Sequence, residues 1–143
     1  MSFKDFLLYL IFVILVIFTL SRSAYSQEPI PAKQVIRAII GEASGEGEFG
    51  MYAVATAILN RNTLSGVYGL NSPHIDKEPT WVWLQAEKAL KRAKEAQIKG
   101  IPLHQGDYWG STICDKAWIA KMEKAGFVKV YEYKNHKFYR RAE

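Results

Sequence analysis

The stretch Ile39-Ile40-Gly41-Glu42-Ala43-Ser44-Gly45-Glu46 brings one carboxylate, Glu42, to the end of an apolar helical face and then enters a glycine-rich bend. Upstream, Ala32, Val35, Ile36 and Ile39 recur at the i, i+3, i+4, i+7 spacing of a helix buried along one side. Glu42 lies three residues beyond Ile39 and seven beyond Val35, so it continues that inward stripe. Burial disfavours the charged form of a carboxyl group. A carboxylic acid that keeps its proton near neutral pH can serve as a general acid, for instance toward the leaving oxygen of a glycosidic bond. Glu42 is therefore the candidate catalytic residue. The competing explanation is a solvated helix-end glutamate, or one paired with a lysine.

Other groups supply supporting chemistry. Tyr108 and Trp109 lie in the glycine-flanked segment Gly106-Asp107-Tyr108-Trp109-Gly110, read as a loop. Sugar rings present apolar faces that pack on aromatic side chains, so these two are the first candidates for a sugar platform. Trp81 and Trp83 sit near a helix start, where one of the pair is expected to join the core. Asn60 and Arg61 close a second helical segment, where an arginine is favoured by the helix dipole alone. Glu46, Glu48 and Asp107 are further carboxylates near these elements, and for Glu46 a capping role in a loop is the simpler reading. Cys114 and His136 would permit a Cys-His nucleophile pair, although Cys114 falls in a predicted capping turn and a buried, inert cysteine is the commoner state. His74, His104 and His136 are scattered without ligand spacing, so no metal site is expected. A strand-end role beside Phe138 and Tyr139 is the expectation for His136.

The elements that must position these groups follow from the periodicity. A first helix is predicted over residues 32–43, with Pro31 at its start. A second runs over 49–61, with Met51, Val54, Ala55 and Ile58 inward and Ala53, Ala55 and Ala57 permitting close helix approach. Residues 62–80 read as a long loop, of the kind that is usually functional or mobile. Thr80 is the expected N-cap of a third helix that stops before Gly100, with Glu87, Lys91 and Glu95 spaced for i, i+4 pairing on a solvated face. Thr112-Ile113-Cys114-Asp115 has the form of a capping box opening a fourth helix that closes at Gly126. From Phe127 the period changes to two, and a β-hairpin turning near Lys134-Asn135 is expected. Helices first and a small antiparallel element last make an α+β domain, mainly helical, with a C-terminal β-hairpin.

Residues 6–20 form an almost continuous apolar run, which suits a signal-peptide core better than a span of about 20 residues. Ala24 and Ser26 place small residues for cleavage before Gln27. Residues 1–26 are thus read as a signal peptide or an uncleaved N-terminal anchor, 27–31 as a linker, and 32–143 as one catalytic domain with one core. The body is expected outside the cytoplasm, in the periplasm, cell wall or medium, touching membrane only through the N-terminal segment. A single cysteine excludes an internal disulfide. The net charge of +5 suits anionic wall polymers, lipid head groups or nucleic acid, and equally a merely soluble surface. Charge alone favours nucleic acid, so that class is set aside.

The run Gly41-Glu42-Ala43-Ser44-Gly45-Glu46, then Gly50, Ala53-Val54-Ala55 and Ile58-Leu59-Asn60-Arg61, resembles the signature of the SleB-type cell-wall hydrolases, the spore-cortex-lytic enzymes and their phage and bacterial relatives. Asn135-His136-Lys137-Phe138-Tyr139-Arg140 is similar to the family's closing His-x-Phe-Tyr strand. Gly106 to Gly110 and Trp118 resemble its Gly-x-x-aromatic segment and downstream tryptophan. The likeness extends over residues 33–140. It implies a lysozyme- or lytic-transglycosylase-like domain that cleaves peptidoglycan glycan strands between N-acetylmuramic acid and N-acetylglucosamine, with Glu42 at the position of the essential glutamate. It also implies a monomer without cofactor, and Glu46, Asn60, Arg61, Tyr108 and Trp109 on the substrate side. Residues 63–82 depart from the spore-cortex members and look more like the short phage-type relatives. Gly110-Ser111-Thr112 stands where many relatives carry polar residues such as Asn.

A lytic transglycosylase needs one acid/base, whereas a hydrolytic muramidase normally needs a second carboxylate, about 5 Å away as nucleophile or about 6.5–9.5 Å away as base. Glu46, Glu48 and Asp107 are the candidates for that role, and transglycosylation is the favoured expectation. The alternatives are a Cys-His peptidoglycan amidase or peptidase, and a non-catalytic wall-binding protein.

Overall fold

The computed structural model describes residues 9–13 and 29–142. Of the expected signal peptide only residues 9–13 are described, as helix; its cleavage site and the first two linker residues, 27 and 28, lie outside the described residues. Among the described residues no helix is long and apolar enough to cross a membrane.

Among residues 29–142, four α-helices are followed by, and interleaved with, a three-stranded sheet: α1 (Ala32–Ala43), α2 (Gly47–Arg61), α3 (Thr80–Ile98), β1 (Tyr108–Ser111), α4 (Lys116–Lys124), β2 (Phe127–Tyr133) and β3 (His136–Arg141). The chain is thus mixed helix and strand. Helix α2 is the centre of the core. Its residues from Gly50 to Ile58 are all buried, so it is covered on every side rather than amphipathic. Small residues make that possible, with Ala53, Ala55 and Ala57 on α2 and Ala86, Ala89 and Ala93 on the α3 that packs along it. On α1 the buried set is Val35, Ala38, Ile39, Ile40 and Ala43. Ala32 is exposed and Ile36 half-buried, so the inward stripe is rotated from the expected one because α1 meets both α2 and the segment before α3.

Between α2 and α3 the chain is not featureless loop. It forms two short 3-10 turns, Tyr68–Asn71 and Ile75–Lys77, and the first packs against α1. Helix α3 is preceded by Pro79 at the cap position, and Thr80 is already helical, so the expected threonine cap is replaced by a proline entry. Trp83 packs against the core while Trp81 is exposed.

The expected hairpin is present as β2 and β3, turning at Lys134-Asn135, but β1 pairs antiparallel with the other edge of β3 to give the order β1-β3-β2. Tyr108 and Trp109, expected in a loop, are strand residues opposite Tyr139 and Phe138. Only β3, distant in sequence, makes them so. The register shifts between Lys129 and Tyr131, a bulge that breaks the expected alternation along β2. The capping box is also replaced. Helix α4 begins at Lys116, and the Asp115 carboxylate accepts from the Ser111 backbone N–H at 2.7 Å, tying β1 to the helix start. Tyr139 donates its hydroxyl to Glu123 at 2.9 Å, joining β3 to α4.

Candidate active site

Glu42 lies in the last turn of α1, half-buried rather than in the core. Its two oxygens are held from two sides. Oε1 accepts from the Gly69 backbone N–H at 2.7 Å, and Oε2 accepts from Trp109 Nε1 at 3.0 Å. The first bond depends on a close backbone approach. A Cβ on Gly41 would stand 1.9 Å from the Gly69 carbonyl oxygen, and one on Gly69 would stand 2.6 Å from Glu42 Oε1. Glycine at both positions brings the Tyr68–Asn71 turn against α1 closely enough to deliver that N–H. Gly41 thus serves the helix interior, not the bend.

Glu42 lines a cleft of about 380 Å³ together with Arg61, Gly66, Tyr68, Tyr108, Trp109, Asp115 and Trp118. Four aromatics and one cation therefore surround a carboxylate fixed by two N–H donors. Tyr108 is set by an edge contact with Phe127, at 5.2 Å between centroids, and Arg61 lies over its ring at 5.0 Å. Trp118 reaches the cleft because Gly110 has no side chain. A Cβ there would be 2.7 Å from the Trp118 ring. The combination suits a ring-shaped ligand with apolar faces, beside one fixed carboxyl group and one cation.

Of the residues expected on the substrate side, Arg61, Tyr108 and Trp109 share the cleft with Glu42, and two do not. Asn60 donates both amide hydrogens inward, to the His104 and Gly106 carbonyls at 2.9 Å each. It braces the approach to β1 and is not among the cleft-lining residues. Glu46 turns to the hairpin instead. Its Oε1 is 3.7 Å from His136 Nδ1, its backbone oxygen accepts from Lys134 Nζ at 2.9 Å, and its side chain is 12% exposed. His136 therefore faces a carboxylate, while Cys114 is exposed in the turn before α4.

None of Glu46, Glu48 and Asp107 lines the cleft. Glu48 lies 3.8 Å from Lys88 Nζ, and Asp107 Oδ1 is buried without a hydrogen-bond partner. The second carboxylate of the cleft is Asp115, which sequence reasoning assigned to a cap. Tyr68 was not placed in the site, because Tyr68-Gly69-Leu70-Asn71 was noted only for its likeness to the short phage-type relatives and no local pattern turns its ring toward Glu42. Trp118 was legible only through the family resemblance.

His104 anchors the segment leading into β1. The Gly106 N–H donates to its Nδ1 at 3.1 Å, so the proton is on Nε2, which donates to the Ala53 carbonyl at 3.0 Å. Burial holds its pKa below the usual histidine range, partly opposed by the bond to Ala53. The imidazole is thus a neutral strut between α2 and the sheet.

No protein-family model, curated protein or solved structure matches this chain.

Proposed function

We propose that the protein cleaves the glycan strand of peptidoglycan between N-acetylmuramic acid and N-acetylglucosamine as a lytic transglycosylase, with Glu42 as the acid/base. The observation that carries this reading is the double anchoring of Glu42 by Gly69 N–H and Trp109 Nε1 in a cleft walled by Tyr68, Tyr108, Trp109 and Trp118. Fixing one carboxyl group in position supplies the orientation that general-acid catalysis needs.

In the proposed reaction Glu42 gives its proton to the leaving glycosidic oxygen. The muramyl C6 hydroxyl oxygen then bonds to C1 and passes its proton to Glu42, which regenerates the acid and leaves a 1,6-anhydro end. The aromatic walls hold the sugar faces, and a C6 hydroxyl held beside C1 in this way competes with water as an intramolecular nucleophile. A helix-borne glutamate facing a small antiparallel sheet across a cleft also supports a lysozyme-like reading of the fold, by analogy of architecture. An exported protein whose residues 1–26 act as leader or anchor fits a wall substrate.

Asp115 favours one second reading, water-dependent muramidase action, since it adds a carboxylate to the same cleft. Its Oδ2 is already engaged by the Ser111 amide, which ranks this second. The test is mass spectrometry of fragments released from purified peptidoglycan. Muropeptides ending in 1,6-anhydromuramic acid are the expected product. Reducing muramic ends would instead select the Asp115 reading, and no release from several wall types would overturn both.

A further inference from the structure

Among the described residues Arg61 has no acidic partner. It ends α2, it lines the Glu42 cleft, and its guanidinium lies 5.0 Å over the Tyr108 ring with one nitrogen beside Gly66. Among the described residues no carboxylate lies within ion-pair distance of it, and no protein acceptor takes its N–H groups. The two acids of the cleft are occupied elsewhere, Glu42 by Gly69 and Trp109 and Asp115 by the Ser111 amide. The helix dipole accounts for a cation at this end of α2, but not for a guanidinium laid along a cleft wall. A planar fork of donors, held over an aromatic ring at the lining of a cavity, is suited to a ligand carboxylate.

We propose that Arg61 binds the 3-O-lactyl carboxylate of a muramic acid residue, so that the preferred substrate is glycan from which the stem peptide has been removed. This rests on the glycan-cleaving reading above. The N-acetylated sugar rings are neutral, so the ligand's charge must come from the lactyl group or from the peptide beyond it. On a stem-bearing strand the lactyl carboxyl is an amide, and the nearest carboxylates lie further out along the peptide. The cleft is small, about 380 Å³ where ligand sites run from about 300 to 1,000 Å³, and Arg61 and Glu42 share it. An anion meeting Arg61 must therefore be carried close to the bond that Glu42 cleaves. The lactyl carboxylate is the group so placed.

The test separates binding from turnover. E42Q protein is titrated calorimetrically with three short muramic acid–glucosamine glycans: one with free lactyl carboxylates, one with those groups converted to methylamides, and one bearing stem peptides. The free acid is expected to bind about tenfold more tightly than the methylamide, the gain of a charge-assisted hydrogen bond. Adding R61Q should make the two equal, and R61K should keep part of the preference. Equal binding of acid and methylamide by the E42Q protein, a preference that survives R61Q, or no binding of any of the three overturns the assignment. Tightest binding of the stem-bearing glycan, lost in R61Q, also overturns it and moves the anion to the peptide. Wild-type turnover on the same ligands keeps the two readings apart. Cleavage without charge preference would remove the Arg61 subsite alone, and an Arg61-dependent preference without cleavage would remove the glycan-cleaving reading alone.

Discussion

Glu42 and Glu46 stand four residues apart in one short motif, and the fold gives them opposite surroundings. In an unbroken helix they would share a face. Helix α1 ends at Ala43, however, and Ser44–Glu46 forms a 3-10 turn, so the second glutamate leaves that face. Glu42 has both oxygens satisfied by N–H donors and opens onto an aromatic cleft. Glu46 is shut between the turn and the hairpin, near His136 and Asn135, with Oε2 buried and unpartnered. One carboxylate opens onto the cleft and the other holds the β2–β3 hairpin against the start of α2. Residue type and spacing alone do not distinguish them.

The most decisive way to break this comparison is to neutralise each acid in turn. E42Q should lower glycan cleavage by roughly 10²–10⁴-fold, the usual contribution of a positioned general acid, with only the fall in Tm expected when the new amide NH2 faces one of the two N–H donors. E46Q should instead shift Tm while leaving cleavage within about threefold, the span of a small conformational effect. Equal loss of activity in both would mean that the two acids act together. Next in size is G41A. It would force the Tyr68–Asn71 turn off α1 and withdraw the Gly69 N–H, costing about 1–3 kcal/mol in overpacking. Denaturant midpoints and cleavage rates should both fall, and an unchanged rate would show that the Gly69 bond is dispensable. W109F keeps an aromatic wall but removes the indole N–H together with part of the ring, so a loss of at least about tenfold in cleavage is expected from the freed Oε2.

The smallest expected effect concerns the support behind the cleft. His104 is neutral in the folded state with a depressed pKa, so the unfolded chain binds the extra proton first as pH falls. Its contribution is fully present above about pH 6.5, the unfolded value, and declines as pH drops from there through the folded value. Tm measured from pH 7.5 to 5 should fall in that window, and H104Q should flatten the slope. A slope that H104Q leaves intact would place the titrating group elsewhere.

Much of the framework was legible locally. Helix α1 has the bounds that its periodicity and Pro31 predict, and α2 and α3 begin within two residues of expectation. Tyr108 and Trp109 were named as a sugar platform and Arg61 through the family resemblance, and all three line one cavity with Glu42. Strand β1 was not legible, because four residues with a glycine just upstream become a strand only when β3 offers its edge. Asn60 read as a substrate group, yet its amide finds two carbonyls more than forty residues away. Asp115 read as a helix cap, and its carboxylate does take a backbone N–H, but from β1, which brings it to the cleft.

The sequence by itself determined the helices, the change of period at Phe127 and the presence of a carboxylate at the end of α1, because these depend on side-chain spacing within one or two turns. The tertiary structure alone decided which glutamate would open onto a cleft. That choice depends on Gly41 meeting Gly69 and on Trp109 reaching across from β1, contacts between segments 28 and 67 residues apart that no local pattern encodes.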